Sequence, residues 1–431
     1  MICSNLENRG GTLFVGGADT NALVAKYGTP LYVMDEARIR HNCRVYLNAL
    51  REHLGETARP LYASKAASFK RVYEIMREEG MGIDVVSCGE IYTAYRAGYP
   101  LVNAYFHSNN KTDEDIRFAM EHGIGYFVAD NAEELIAINR IAGEMSKEQK
   151  VLLRLTPGID PHTYAAVATG NVDSKFGSAI ETGQAEEITL LALSLPNIRL
   201  SGFHCHVGSQ VFDADVFLRS VDIMMDFIAE MAYKHDYLAE ELDLGGGFGV
   251  RYIESDPTID IGANIAEIAQ RLKKKAAEFD ILLPAIRMEP GRSIVADAGL
   301  TLYRVGTIKK IPGYKNYVSV DGGMTDNPRY ALYRSAYTVL PANKLNERCD
   351  FTCSVVGRNC ESGDILQENV TLPASVTRDD VLAVLTTGAY NYAMASNYNR
   401  VPRPPIVMVN DGADYLAVRR ESLDDLIRND I

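Results

Sequence analysis

Between residues 60 and 293 one pattern recurs eight times: a short apolar run ends in polar residues or glycine, and a helical stretch usually follows. The runs are 60–64 (PLYAS), 82–87 (GIDVVS), 104–108 (AYFHS), 126–130 (YFVAD), 151–155 (VLLRL), 200–206 (LSGFHCH), 241–247 (ELDLGGG) and 285–289 (AIRME). Consecutive apolar positions suit strands covered on both faces, the condition of a parallel sheet. Between them, Phe69, Val72, Tyr73 and Met76 follow helical spacing, and Gly80 is placed to stop that helix. Thr112 can cap a helix whose first turn carries Asp113, Glu114 and Asp115 and which Gly123 can end. Asn131 can cap the next, which contains Leu135, Ile136 and Ile138; longer helices fit 214–234 and 261–279. Eight strands alternating with helices is the count of an α/β TIM barrel. A doubly wound sheet is the rival, but no Gly-x-Gly-x-x-Gly follows the first strand.

After about residue 300 the texture changes. Val318-Ser-Val-Asp, Phe351-Thr-Cys-Ser-Val-Val, Val381-Leu-Ala-Val-Leu and Ile406-Val-Met-Val read as strands, with turns at Asp321-Gly-Gly and Asn410-Asp-Gly. A short helix fits about 421–429. The expected division is an N-terminal segment, 1–35, whose first strand (Gly11-Thr-Leu-Phe-Val-Gly) joins the β domain; a barrel, 36–293; and a C-terminal all-β domain, 294–431.

Composition narrows the function. A net charge of -13 argues against nucleic acid, whose phosphates need a basic surface. The start lacks the basic flank and continuous apolar segment of a signal peptide, and no stretch is long and apolar enough to span a bilayer. Seven cysteines, an odd and sparse set, read as free thiols in a reducing compartment, so the expected location is cytoplasmic. Cys349 and Cys353 could pair on a metal, but no second pair with zinc spacing follows, and no metal is expected.

Barrel chemistry sits where the strands end. The residues there are Lys65; Asp84 with Ser87; His107 with Ser108; Arg154; His204 with His206; Gly245-Gly246-Gly247; and Glu289 with Arg292. This is neither a carboxylate-rich metal set nor a glycosidase pair. Lys65 alone reads as an exposed loop residue. In a partly desolvated pocket it is instead an amine able to bond an aldehyde such as pyridoxal phosphate. That cofactor also needs a phosphate cradle, a partner for its pyridine nitrogen and a wall for its ring. Leu244-Gly-Gly-Gly-Phe-Gly249, with Ser209, can form the cradle, although a plain turn explains the glycines equally well. Glu289-Pro-Gly-Arg292 can supply the nitrogen partner or a salt-bridged turn. His204 and His206 alternate on a strand; one imidazole can lie against the ring, while zinc binding would need further histidines and an aspartate at later strand ends.

Taken together, Tyr62-Ala-x-Lys65-Ala, His204-x-His206-x-Gly-Ser-Gln210, Gly245-Gly-Gly, Glu289-Pro-Gly-Arg292, Cys360-Glu-Ser-x-Asp364 and Gly388-Ala-Tyr390 resemble, in this order, the fold-type III pyridoxal-phosphate decarboxylases. These share an alanine racemase-like barrel plus a β domain, and the resemblance runs from about residue 10 to residue 420. Three stretches resemble the diaminopimelate-specific branch of that family: Thr169-Gly-x-x-x-Ser-Lys-Phe-Gly177, Met324-Thr-Asp-Asn-Pro-Arg-Tyr-Ala-Leu-Tyr333, and Met394-Ala-Ser-Asn-Tyr-Asn399 followed by Arg403-Pro404. Eukaryotic-type ornithine decarboxylases lack the Arg-x-x-x-Tyr element that Arg329 and Tyr333 match, and carry aspartate where this chain has Glu361.

The resemblance implies roles by position. Lys65 would bond the cofactor, His206 would stack on its ring, and Glu289 would face its pyridine nitrogen. Ser209, Gly245, Gly246, Gly247, the backbone of Gly291 and Arg292, and Tyr390 would bind phosphate; Arg154 would lie near the ring hydroxyl. Arg292, Arg329 and Tyr333, with Tyr390 beside them, would hold the retained substrate carboxylate, and Glu361 the distal ammonium. Cys360 would donate a proton near the α-carbon. In this family Cys360 and Glu361 come from the neighbouring subunit, which implies a homodimer with shared sites. The implied reaction converts meso-2,6-diaminopimelate into L-lysine and CO₂. A decarboxylase of another basic amino acid, a racemase, or a non-catalytic regulatory relative are the other readings; the last would be expected to lose Lys65, Cys360 or the cradle. The chain departs from many members at Ala67, where asparagine is common, and at Cys88, where glycine is.

Overall fold

The computed structural model describes residues 1–159 and 174–431. It divides into two compact units, one of Cys43–Gly249 and Thr258–Gly291, the other of Met1–Asn42, Val250–Pro257 and Arg292–Ile431.

The first unit holds a closed barrel of eight parallel strands: β1 (Arg59–Ala63), β2 (Gly82–Val85), β3 (Ala104–Phe106), β4 (Tyr126–Ala129), β5 (Gln149–Thr156), β6 (Ile198–His204), β7 (Glu241–Asp243) and β8 (Ala285–Met288). Each pairs with its chain neighbour, and β8 pairs with β1 to close the ring. Every expected apolar run is a strand. Leu61, Tyr105, Val128 and Leu152 pack as a cluster inside it.

The helices follow their sequence signals. Phe69, Val72, Tyr73 and Met76 are all buried, and Gly80 ends the helix Lys70–Glu79 in the left-handed conformation, φ +78°, that glycine takes without strain. Thr112 forms a capping box with Asp115, and Asn131 caps Ala132–Glu144. Ile136 lies on the outer face of that last helix, whereas Leu135 and Ile138 are buried.

The second unit is mostly strand. Gly299–Lys310 is its long central strand. It pairs with Leu31–Asp35, Asn316–Val320 and Val381–Leu385, and so joins both ends of a nine-stranded sheet. Its alternation feeds two cores: Leu300 and Leu302 pack with Leu13, Val33 and Val407, while Tyr303 and Val305 pack with Val318, Val355 and Leu372. Thr12–Val15 belongs to a separate three-stranded sheet with Leu6–Arg9 and Ala18–Asp19. The C-terminal helix runs Leu423–Ile427, and a second short helix, Arg329–Tyr333, has no counterpart in the sequence reading. Among the described residues no helix is long and apolar enough to cross a membrane. No disulfide joins the seven cysteines; Cys349 is exposed and Cys353 is buried.

Candidate active site

Of the residues singled out at the strand ends, Lys65, Asp84, His107, Arg154, His204, His206, the three glycines and Glu289 lie in the barrel unit, and Arg292 belongs to the other. Lys65 sits in a single turn of 3₁₀-helix, Ser64–Ala66, directly after β1. Its neighbours Ser64 and Ala66 are fully buried, but its own side chain is 42% exposed, so the amine is anchored yet reachable. Its Nζ lies 3.7 Å from Asp84 at the β2 end; Asp84 lies 3.9 Å from His107 after β3; His107 Nε2 lies 2.6 Å from Glu289 after β8. His204, the last residue of β6, brings Nε2 to 3.1 Å from the other Glu289 oxygen. The two imidazoles meet edge to face, 4.8 Å between centroids.

Glu289 is thus a buried carboxylate gripped at both oxygens by imidazole. Burial opposes its charge, but His107 and His204 outweigh that and hold it well below the usual carboxylate range. His204 is pushed down to about 4, chiefly by burial, and so is a neutral ring. The His107 contact is short but poorly directed as a hydrogen bond, leaving Glu289 Oε1 available to a better-aligned donor. Two further carboxyls stand behind it. Asp243, ending β7, accepts from the Gly245 N–H at 2.8 Å, and burial raises it well above its ordinary value, with Glu289 adding to the effect. Asp84 is likewise raised by burial, and neither of its oxygens has a hydrogen-bond partner.

The glycine run explains itself sterically. A Cβ on Gly245 would come within 2.6 Å of the Cys205 carbonyl and 2.8 Å of His206 Nδ1. One on Gly246 would collide with the Glu289 carbonyl, and one on Gly247 with that of Gly208. The Gly246 N–H donates to His206 Nδ1 at 3.3 Å, which orients that part-buried ring. His206 is held well below the ordinary histidine range by burial, then by the positive charges of Lys65 and Arg154. Arg154 is part-buried in β5, 4.0 Å from Asp130, with its guanidinium 4.3 Å over the Phe176 ring. The motif that begins at Thr169 lies partly outside the described residues, which resume at Ser174. Ser209 is part-buried beyond His206, and a Cβ on Gly291 would press on Ala63 and Ala66, at 3.0 Å and 3.2 Å.

A second group forms in the other unit. Arg292 and Arg329 are both buried. Arg292 donates to the Tyr252 hydroxyl at 2.6 Å and lies 4.7 Å from the Tyr390 ring centre. Arg329 donates to Tyr337 at 2.8 Å and Ser335 at 3.2 Å. Tyr333 ends the helix that Arg329 begins, one turn along the same face. Asp364 ties the distant motifs together by accepting from the Met324 N–H at 2.6 Å and the Asn359 N–H at 2.7 Å. The Cys360 N–H donates to Asn399 at 2.7 Å, and the Ser396 N–H to the Thr325 carbonyl at 2.8 Å. The stretches around 324, 360 and 396 are therefore one knit surface. Cys360 and Glu361 are exposed on it.

Sequence reasoning placed His107 and Asp84 at strand ends without giving them roles, and passed over Asp243, Tyr252, Ser335 and Tyr337. Asp243 had a signal: it is the last strand residue before the glycines. The others sit in loops or short strands where no periodicity marks them.

The barrel group fits pyridoxal phosphate: an accessible amine, a carboxylate held ionised for a ring-nitrogen proton, a neutral imidazole plate, and glycines that leave no room for side chains. His107, His204 and Glu289 also bring ligand atoms within 4.8 Å of one another, a spacing a metal ion could share. The lysine and glycine run, linked to them by the contacts above, have no use in such a site.

Residues 36–296 match the family of pyridoxal-dependent decarboxylases, pyridoxal binding domain. The chain is 45% identical to a diaminopimelate decarboxylase of Bacillus methanolicus, covering 96% of both chains. It is 43% identical to that of Bacillus subtilis, over 99% of this chain and 96% of the relative. A crystal structure of the M. jannaschii diaminopimelate decarboxylase with L-lysine matches with a TM-score of 0.93 and 34% identity, covering 100% of this chain and 98% of the other. A lysine/ornithine decarboxylase of Vibrio vulnificus, at 24% identity and TM-score 0.76 over 91% and 97%, shares the fold. The chain belongs to the pyridoxal-dependent decarboxylases and, within them, to the diaminopimelate decarboxylase family.

Proposed function

We propose that this protein removes CO₂ from meso-2,6-diaminopimelate to give L-lysine, the last step of lysine biosynthesis. The observation that carries the reading is near-full-length similarity to diaminopimelate decarboxylases at up to 45% identity. When bound, pyridoxal phosphate supplies an electron-withdrawing ring that takes up the electron pair left at the α-carbon as CO₂ departs.

The chain's own residues do the rest. Lys65 attaches the cofactor through its amine. Glu289, kept ionised by His107 and His204, would hold a proton on the ring nitrogen, and His206, held neutral by burial, would lie against the ring without adding charge. Ser209, the backbone of Gly245–Gly247, of Gly291 and of Arg292, and Tyr390 would hold the phosphate, and Arg154 would lie near the ring hydroxyl. Arg292, Arg329, Tyr333 and Tyr390 bind the retained carboxylate, two guanidinium groups matching one anion. Glu361 accepts from the distal ammonium, and Cys360 returns a proton to the α-carbon. Cys360 and Glu361 serve the partner subunit of a homodimer, which works in the cytoplasm.

The test is to supply purified protein and pyridoxal phosphate with meso-diaminopimelate, L-ornithine, L-arginine and L-lysine in turn. CO₂ and L-lysine are expected from diaminopimelate; faster release from ornithine or arginine would sink the assignment. Glu361→Gln is expected to reduce the preference for diaminopimelate about tenfold, the scale of one charged hydrogen bond.

A further inference from the structure

Arg292 and Arg329 share a neighbour that neither the motifs nor the relatives' names single out. Tyr252 lies in the segment Val250–Pro257, beyond the glycine run, and only 5% of it is exposed. Its hydroxyl accepts from Arg292 Nη1 at 2.6 Å. The Arg329 guanidinium lies 5.0 Å from the centre of its ring. The ring is fixed edge-on to Tyr337, 5.2 Å away at 87°, and Tyr337 in turn accepts from Arg329. The backbone is fixed independently: the Tyr252 carbonyl accepts from the Thr338 N–H and hydroxyl, at 3.1 Å and 2.8 Å. A loop tyrosine held this firmly, with one guanidinium at its hydroxyl and another over its face, has little freedom for any other role.

We infer that Tyr252 is a positioning residue that orients both guanidinium groups toward one substrate carboxylate. The physical need is clear. Two buried cations close to one another repel, and a long arginine side chain has several rotamers to choose from. A phenol is neutral, accepts one charged hydrogen bond strongly and presents a π-face to a second cation. It therefore holds both arginines without neutralising either. A carboxylate in its place would cancel the charge that attracts the substrate. The two guanidinium groups in turn draw the Tyr252 hydroxyl below the ordinary phenol range, although burial pushes the other way. The inference rests on the proposed role of Arg292 and Arg329 as carboxylate binders.

The test compares binding of L-lysine with that of L-lysinamide, which lacks the carboxylate, to the cofactor-loaded enzyme. Tyr252→Phe keeps the ring and loses the hydroxyl; Tyr252→Leu loses both. For Tyr252→Phe, KM for meso-diaminopimelate and the L-lysine dissociation constant should rise about tenfold. In that variant kcat should stay within about twofold and pyridoxal-phosphate affinity should not change, with Tyr252→Leu more severe. The preference for L-lysine over L-lysinamide should shrink by the same factor, which general loosening of the fold would not produce. Arg329→Ala provides the control. If it abolishes the preference while Tyr252→Phe and Tyr252→Leu both retain it, the inference about Tyr252 fails and the arginine assignment stands. If Arg329→Ala also retains the preference, the arginine assignment fails and takes this inference with it.

Discussion

Where the barrel strands begin, Glu241 accepts from Tyr105 at 2.7 Å, Tyr126 at 3.3 Å and Arg287 at 2.8 Å, and Arg287 reaches on to the Thr57 carbonyl at 2.6 Å. Tyr105 and Tyr126 stack with ring centres 4.3 Å apart. Where the strands end, Glu289 is just as buried, but around it Asp84, Asp130 and Asp243 keep oxygens without hydrogen-bond partners. Both ends hold a buried glutamate facing basic side chains. At the first end Glu241, Tyr105, Tyr126 and Arg287 satisfy one another. At the second, charge is arranged and left incomplete, the condition of a site that expects something from outside. A buried polar group without a partner costs stability, so such groups persist where function requires them.

Substitutions can break this contrast. Lys65→Ala should remove both the visible absorbance of lysine-bound cofactor and turnover, on the order of 10³-fold or more, with the fold intact by circular dichroism. Normal activity would remove Lys65 from the mechanism. Glu289→Gln should lower kcat by about 10²- to 10³-fold, because a neutral amide cannot hold the ring-nitrogen proton. An effect confined to thermal stability would make Glu289 a structural twin of Glu241. A third expectation concerns pH. The folded pKa of His204, about 4, lies below its unfolded value of 6.5, so between these values the unfolded chain binds the extra proton. Stability from this residue is complete above pH 6.5 and is lost as pH falls toward 4, up to ~3 kcal/mol for the proton concerned. Urea titrations across this range should show a shallower slope for His204→Asn, and an unchanged slope would contradict it. The smallest effect belongs to the strand-start end. Glu241→Gln should cost ~1–3 kcal/mol of stability by weakening the hold on Arg287, with kcat unaltered. A fall in kcat there would erase the distinction between the two ends.

The same contrast explains what could be read without coordinates. Lys65 and Glu289 were legible because each follows an apolar run, and a barrel brings all such ends together. His107 and Asp84 stood in the same list, yet nothing in one dimension says that His107 grips Glu289, 182 residues further on. Tyr252 was illegible for another reason. It lies in an irregular segment, where neither alternation nor helical spacing marks a buried side chain. In the second unit, the strands at 299–310 and 365–373 were missed and the short helix at 329–333 unforeseen, because sheet partners far apart in sequence decide them.

The sequence by itself determined the eight strands, the helix caps at Thr112 and Asn131, the stop at Gly80, and the family. Each rests on local spacing or on an ordered set of motifs, and local chemistry acts between residues a few positions apart. Tertiary structure alone decided that two imidazoles keep Glu289 charged, that Asp364 and Asn399 bind three distant motifs into one surface, and that one phenol meets two arginines. These depend on burial and on distances of a few ångströms between residues far apart in the chain. A charge's energy depends on the medium and neighbours the fold places around it.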